Sequence, residues 1–277
     1  GVGIVTKPGL PVPPGMPAIN PTPMAMIKRA VGEVLKSVPG AMEGMALEVE
    51  VRVPSGLRLA AATANPRLGI LGGLSILGTT GILKPVSTPA WQGTIACALD
   101  VARACGLREV ILCPGRESES FARKELKAPE EAVILMGDHV AFSLEACRER
   151  RFEKIVVVGR LGKLSKMAAG ELRTHMGDSS VDFELLSRWV REAGAPEKMA
   201  LRVAHANTAR EVGETLKGSA RERFFQRVAE GARESLVQKL GPGAELSVLL
   251  LSPRGELLAR AEGAWGRGHC PRYLSWE

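Results

Sequence analysis

Two regimes of hydrophobic patterning divide the chain. Over 21–36, Met24, Ile27, Val31, Val34 and Leu35 recur at helical spacing and Asn20 stands where an N-cap belongs, so a helix is expected. Over 46–53 the period drops to two, with Leu47, Val49, Val51 and Val53 alternating against Glu48, Glu50 and Arg52. That is the pattern of a strand with one buried face and one wet one. Residues 1–20, rich in Gly and Pro, read as an extended, looping segment, and 54–65 as a lead-out.

From residue 66 short apolar runs alternate with helical stretches. Strands are expected at 68–71, 110–113, 132–136 and 155–158, and helices at 89–105 (Thr88 as N-cap), 118–126, 141–150 and 163–172. Strands separated in this way by helices predict a parallel sheet with right-handed crossovers. After residue 175 the pattern is helical over 182–193, parts of 197–216 and 219–240. A hairpin of 245–251 and 256–261 around SPRG follows. The expected fold is α/β: a Rossmann-like parallel-sheet domain with helices on both faces over 65–261, preceded by a partial α+β domain over 1–64 and followed by a tail over 262–277.

Composition narrows the function classes. The chain has 277 residues, 45% of them hydrophobic, enough for one to two domains. Its net charge is +7 and its pI about 9.4, but the cations are scattered among acids, as in ESESFARKELKAPEE. One Tyr and six Phe give little for bases to stack on, so nucleic acid is not the expected partner. The same charge suits a small polyanion. Five Cys without a C-x-x-C pair and four separated His give no zinc framework and no disulfide scaffold. Cys97, Cys105 and Cys147 read as small buried apolar residues of helices in a cytoplasmic protein. No apolar run reaches the roughly 20 residues that span a bilayer.

Candidate chemistry gathers where strands end. NPRLGILGGLSILGTTGILKPVS, from Asn65 to Ser87, follows an apolar run with Gly72, Gly73, Ser75, Gly78, Thr79, Thr80 and Gly81. Glycines let a backbone approach a ligand closely, and loop amides with a helix N-terminus supply donors to an anionic group; tight turns use the same residues. The G-x-G-x-x-G and Gly-Lys-Ser/Thr signatures are absent, which counts against a nicotinamide-dependent oxidoreductase. A non-catalytic basic binding domain is the other alternative. Three further strand ends carry Pro114-Gly115-Arg116-Glu117-Ser118, Gly137-Asp138-His139 and Gly159-Arg160-Leu161-Gly162-Lys163. Ligands collect at that edge of a parallel sheet. Asp138 is either an acceptor for ligand hydroxyls or a helix cap, and Glu117 and Ser118 are equally two-sided, Ser118 being a natural N-cap. Arg116, Arg160, Lys163 and Lys166 suit carboxylates, or form a solvated helix face. Lys163 stands out because a cation gains nothing from a helix N-terminus. Asn207 and Thr208 read as a helix cap.

The string ILGGLSILGTTGILKPVS strongly resembles the signature of the cobalt-precorrin-5B C1-methyltransferase family. VTKPGLPVPPGMPAINPTPMAMI, TIACALDVARACG, CPGRESESFAR, GDHVAFSLE, GRLGKLSKMAAGELRTH and ANTAREV follow that family's order. The resemblance implies a transferase moving a methyl group from S-adenosylmethionine to C1 of a corrin precursor in cobalamin biosynthesis. It implies the glycine loop and Asp138 as donor-binding and Arg116, Arg160, Lys163 and Lys166 as substrate-binding. His175 matches a family histidine and would act as the catalytic group. The partner implied is the polycarboxylate corrin precursor, without nucleic acid or membrane, and self-association into a homo-oligomer is allowed. The family's usual N-terminal domain of roughly a hundred residues carries a Gly-Tyr-Thr-Thr-Gly-like motif, absent here, so 1–64 would be the remainder of that domain.

Overall fold

The computed structural model describes residues 1–38, 47–78, 87–174 and 180–262. They form two compact units that part between Cys105 and Gly106.

In the first unit, β1 (Ile4–Val5) pairs antiparallel with β2 (Ile70–Leu71), Ile4 opposite Leu71. Val5, Val12, Ala18 and Ile70 form a small core, with Leu10 and Leu68 packed against it. The run at 68–71 is not a strand of the main sheet, because the amino-terminal segment takes its hydrogen bonds. Glycine makes that pairing possible. A Cβ on Gly73 would lie 2.3 Å from the Gly1 carbonyl oxygen, and one on Gly3 would lie 2.8 Å from the Gly73 carbonyl oxygen. Only bare backbone fits there.

Helix α1 (Pro21–Ser37) follows Asn20 with Pro in its first turn, as expected, and none of its residues is buried. The strand expected at 46–53 is not found among the described residues. Its described part, 47–53, carries no ladder, and Leu47 and Val49 are half exposed. Alternation alone cannot make a strand where no neighbour supplies hydrogen bonds. A short helix, α2 (Gly56–Ala60), takes up part of the expected lead-out. In α3 (Thr88–Ala104) the cap is Ser87, whose Oγ accepts from the Ala90 N–H at 3.3 Å, one residue before the expected cap. Cys105, at the end of α3, is exposed, contrary to expectation; Cys147 is buried, and burial pushes its thiol up to about 12.

The second unit is an α/β layer structure. Its strands β3 (Glu109–Cys113), β4 (Val133–Leu135), β5 (Lys154–Arg160), β6 (Glu245–Leu251) and β7 (Leu257–Ala261) order as β4-β3-β5-β6-β7. All neighbours are parallel except β6 and β7. The expected hairpin exists, and its strands complete the sheet, which is parallel from β4 to β6 and antiparallel at β7. β3, β5 and β6 are apolar at successive residues because both faces are covered. Ile111, Cys113, Val156, Val158, Leu249 and Leu251 pack with Phe121 and Ala122 of α4 (Arg116–Lys124). The alternate residues Val110, Leu112, Ile155, Val157, Val248 and Leu250 are equally buried.

Helices α5 (Val140–Glu149) and α6 (Leu161–Ala168) follow β4 and β5. After them come α7 (Phe183–Glu192), α8 (Glu197–Ala204), α9 (Ala209–Thr215) and α10 (Gly218–Leu240). The long α10 lies on α6, β6 and β7. Asp182 and Thr208 cap α7 and α9 through side-chain oxygens.

At the amino-terminal edge of the sheet, Glu109, Lys154 and Glu245 stand in register on three adjacent strands. Burial, with Glu245 adding to it and Lys154 opposing, raises the Glu109 carboxyl above its ordinary 4.5, and its Oε1 is buried without a hydrogen bond. A raised carboxyl pKa means the folded state holds the extra proton, so this group's contribution falls as pH rises from 4.5 through the folded value. Glu109→Gln is expected to melt higher than the parent at about pH 7, with the gain shrinking toward about pH 4.5. Equal melting across that range would contradict the assignment.

Candidate functional site

Strand order defines the place to look. β4 lies on one side of β3 and β5 on the other, so the chain leaves the carboxyl ends of β3 and β5 toward opposite sides of the sheet. Parallel sheets open a crevice at such a switch point. Pro114–Glu117 leaves β3 here, and 160–163 leaves β5. An ion pair joins the two segments: Arg160 Nη2 meets Glu117 Oε1 at 2.9 Å, and the same nitrogen lies 3.5 Å from the Pro253 carbonyl. The Arg160 Nε is buried without a hydrogen bond. Arg116, exposed, begins α4 beside them. Gly115 is the N-cap of α4, so Ser118 is not a cap; it lies inside the helix, 4% exposed.

One strand over, beyond β4, Gly137 takes a positive φ of 57° and delivers Asp138 to the same edge. His139 occupies the N-cap position of α5 without a side-chain capping hydrogen bond, and the Asp138 carboxylate reaches α6. Its Oδ1 accepts from the Lys163 ammonium and, at 2.8 Å, from the Thr174 hydroxyl. Lys163 donates as well to the Thr174 carbonyl at 2.9 Å, and Lys166 donates to that carbonyl at 3.2 Å. Lys163 is thus held in the first turn of α6 by a carboxylate and a carbonyl, which answers why a cation stands at a helix N-terminus. Lys166 is 6% exposed, so it is no part of a solvated face. Burial first, then the neighbouring Lys163, depress its pKa, with Asp138 and Glu171 opposing.

The structure brings Asp138, Lys163 and Lys166 into one cluster, and Arg160 with Glu117 into a second. Thr174, wholly buried, joins the first cluster, and no sequence signal marks it. In the first unit, Gly72 and Gly78 have φ of 79° and 138° with open space where a Cβ would stand. Gly73 differs, since its need for glycine comes from the chain's own backbone; Asn65, 8% exposed, donates to its carbonyl at 3.4 Å. Ser75 is half-buried. Thr79, Thr80, Gly81 and His175 lie outside the described residues. Among the described residues no cluster of His, Cys, Asp and Glu could hold a metal ion, and no helix is long and apolar enough to cross a membrane.

The second unit is thus an α/β layer structure with charged residues gathered at the carboxyl edge of its sheet, the edge at which such sheets commonly bind polar small molecules. Comparison with known proteins is specific. The CbiD family model matches residues 1–85, and the model of the CbiD C-terminal domain matches residues 173–262. The cobalt-precorrin-5B C(1)-methyltransferase of Geobacillus kaustophilus (strain HTA426) is 42% identical over 262 residues, 94% of this chain and 70% of that protein. The protein of the same name from Geobacter sulfurreducens is 44% identical over 254 residues, 90% of this chain and 68% of that one. A crystal structure of the cobalamin biosynthesis protein cbiD from Archaeoglobus fulgidus is 25% identical, covers 63% of this chain and 52% of its own, and has a TM-score of 0.26. The chain belongs to the CbiD family of cobalt-precorrin-5B C(1)-methyltransferases.

Proposed function

We infer that this chain transfers a methyl group from S-adenosylmethionine to C1 of a cobalt-precorrin-5B-type corrin precursor, in the cytoplasm. The observation that carries the reading is the 42% identity, over 94% of the chain, to a protein bearing that activity as its name. The cationic edge of the second unit is in keeping with a substrate that carries several carboxylates.

When bound, the donor supplies an electrophilic methyl group whose leaving group is a neutral thioether. The protein's task is then to orient the acceptor carbon in line with the breaking bond and to keep water out. Open space and positive φ at Gly72 and Gly78 suit a loop whose amides approach a ligand. Gly73, Ser75, Thr79, Thr80 and Gly81 complete that assignment. Asp138 presents its carboxylate at the edge of the second unit's sheet, where a ligand hydroxyl would donate to it. For the acceptor we assign Arg116, Arg160 and Lys163 to substrate carboxylates, Arg160 exchanging Glu117 for one of them. Lys166 is too deeply buried to reach a ligand directly and shares the Thr174 carbonyl with Lys163. His175 is assigned to hydrogen-bond or proton transfer at the tetrapyrrole.

Calorimetric titration with S-adenosylmethionine, with NAD as control, tests the donor half. Saturable one-site binding of the sulfonium alone is the expected result. Binding of NAD alone would overturn the reading.

A further inference from the structure

Thr174 sits at the centre of the polar cluster at the carboxyl edge, yet nothing about a lone threonine after a helix announces a role. Its two oxygens do opposite jobs. The hydroxyl donates to Asp138 Oδ1 at 2.8 Å, while the carbonyl accepts from Lys163 at 2.9 Å and from Lys166 at 3.2 Å. These groups come from separate steps of the fold: Asp138 from the loop after β4, the lysines from successive turns of α6, and Thr174 from the segment after α6. That segment is also tied by its backbone. Arg173 bridges His139, and the Ala141 N–H donates to the Leu172 carbonyl at 3.4 Å. Thr174 is 0% exposed, so its hydroxyl has no water to fall back on.

From this arrangement we propose that Thr174 is a positioning residue for the transfer reaction. Its hydroxyl fixes the Asp138 carboxylate, which in turn fixes the Lys163 ammonium, so that the charged pair is held in one orientation toward the ligand edge. Threonine suits the place for a chemical reason. A hydroxyl both donates to a carboxylate and fits a buried site, whereas a charged side chain there would add an unpaired charge. The two ammonium groups that meet at the carbonyl oxygen repel each other, and the carboxylate held by the hydroxyl offsets that repulsion. Loss of the hydroxyl leaves the carboxylate one donor short inside a partly buried cluster, and misplacement of about 1 Å at such a site costs on the order of a hundredfold in rate.

Two variants separate this role from mere support of the fold. Thr174→Val keeps the shape and loses the hydroxyl; Thr174→Ser keeps the hydroxyl. The proposal rests on the methyl-transfer reading for its kinetic arm. There Thr174→Val is expected to lose about ten- to a hundredfold in kcat, and Thr174→Ser to stay near the parent. The second arm, amide hydrogen exchange of Arg173 and Ala141, stands without that reading. Exchange there is expected to speed up in Thr174→Val and not in Thr174→Ser, with the rest of the sheet unchanged. Parent-like kcat and exchange in Thr174→Val would overturn the proposal, as would equal losses in both variants. If the parent itself shows no transfer, the functional reading fails while the exchange arm still decides this one.

Discussion

Replacing Phe224 by alanine is expected to cost about 3–5 kcal/mol of stability. Phe224 is 0% exposed, and its ring lies 5.6 Å from that of Phe225 at a tilt of 54°. Its helix, α10, is the element that binds the sheet to the helical layer: it lies on α6, β6 and β7 and also touches α5 and α7. Two polar ties reinforce it, from Gln226 to the Arg260 carbonyl at 3.0 Å and from Arg233 to the Leu246 carbonyl at 3.0 Å. Truncation leaves a cavity that a helix held on so many sides cannot close, so the loss should sit at the upper end of what a single side chain gives. In a domain of this size that corresponds to a fall in melting temperature of roughly 10 °C. Denaturant unfolding of parent and variant measures it. A loss of less than about 1 kcal/mol, the ordinary effect of a point substitution, would mean that α10 is not packed as described.

The second large effect concerns the cluster at the ligand edge. Lys163→Met should leave the Asp138 carboxylate with the Thr174 hydroxyl in place of a cation, costing about 1–3 kcal/mol of stability and on the order of a hundredfold in methyl transfer. Asp138→Asn should be comparably harmful, because it strands Lys163 beside Lys166 with no carboxylate between them. Side chains of the pair are 31% and 28% exposed, so solvent softens both losses. The double variant is the informative one. Residues in contact are coupled, and the coupling of about 0.5–3 kcal/mol should make the double variant less damaged in stability than the sum of the singles. Its activity should stay low, since neither group remains to face a ligand. Strictly additive stability losses would show that the two side chains do not form a pair.

How much of the fold is legible in the sequence depends on what kind of residue carries each feature. The strands β3, β4 and β5 are readable because they are short apolar runs, rich in Val, Ile and Leu and ending near Gly or Pro; their boundaries move by no more than two residues. Helices α1, α5, α7 and α10 announce themselves by periodicity. The strand expected at 46–53 carries no ladder over its described part, 47–53, although its alternation is clean. A strand is a relation between two segments, and no local pattern reveals whether the second one is there. The same fact misplaces 68–71, whose true partner, Ile4–Val5, is a two-residue strand in a Gly- and Pro-rich segment.

At the candidate site the side-chain signals carry well and the backbone ones do not. Asp138, Arg160 and Lys163 stand out in the sequence as charged residues beside glycine at strand ends, and the structure puts them at one edge. The solvated-face alternative for Lys166 follows from its place in the helix after Lys163, a spacing that cannot tell an exposed face from a buried one. Thr174 gives no signal because half its part is played by a carbonyl oxygen, which every residue possesses. Gly73 reads as a ligand contact on composition, yet what demands glycine there is the approach of the Gly1 and Val2 backbone.

Transfer itself is the most direct test. The chain is incubated with S-adenosylmethionine carrying an isotope-labelled methyl group and with the cobalt-precorrin-5B substrate, and the corrinoid product is followed by mass spectrometry. The expected result is one labelled methyl group on the corrinoid, located at C1, with stoichiometric formation of S-adenosylhomocysteine and marked slowing in Lys163→Met. Binding of both ligands without transfer of label, or label placed at another ring carbon, would contradict the assignment.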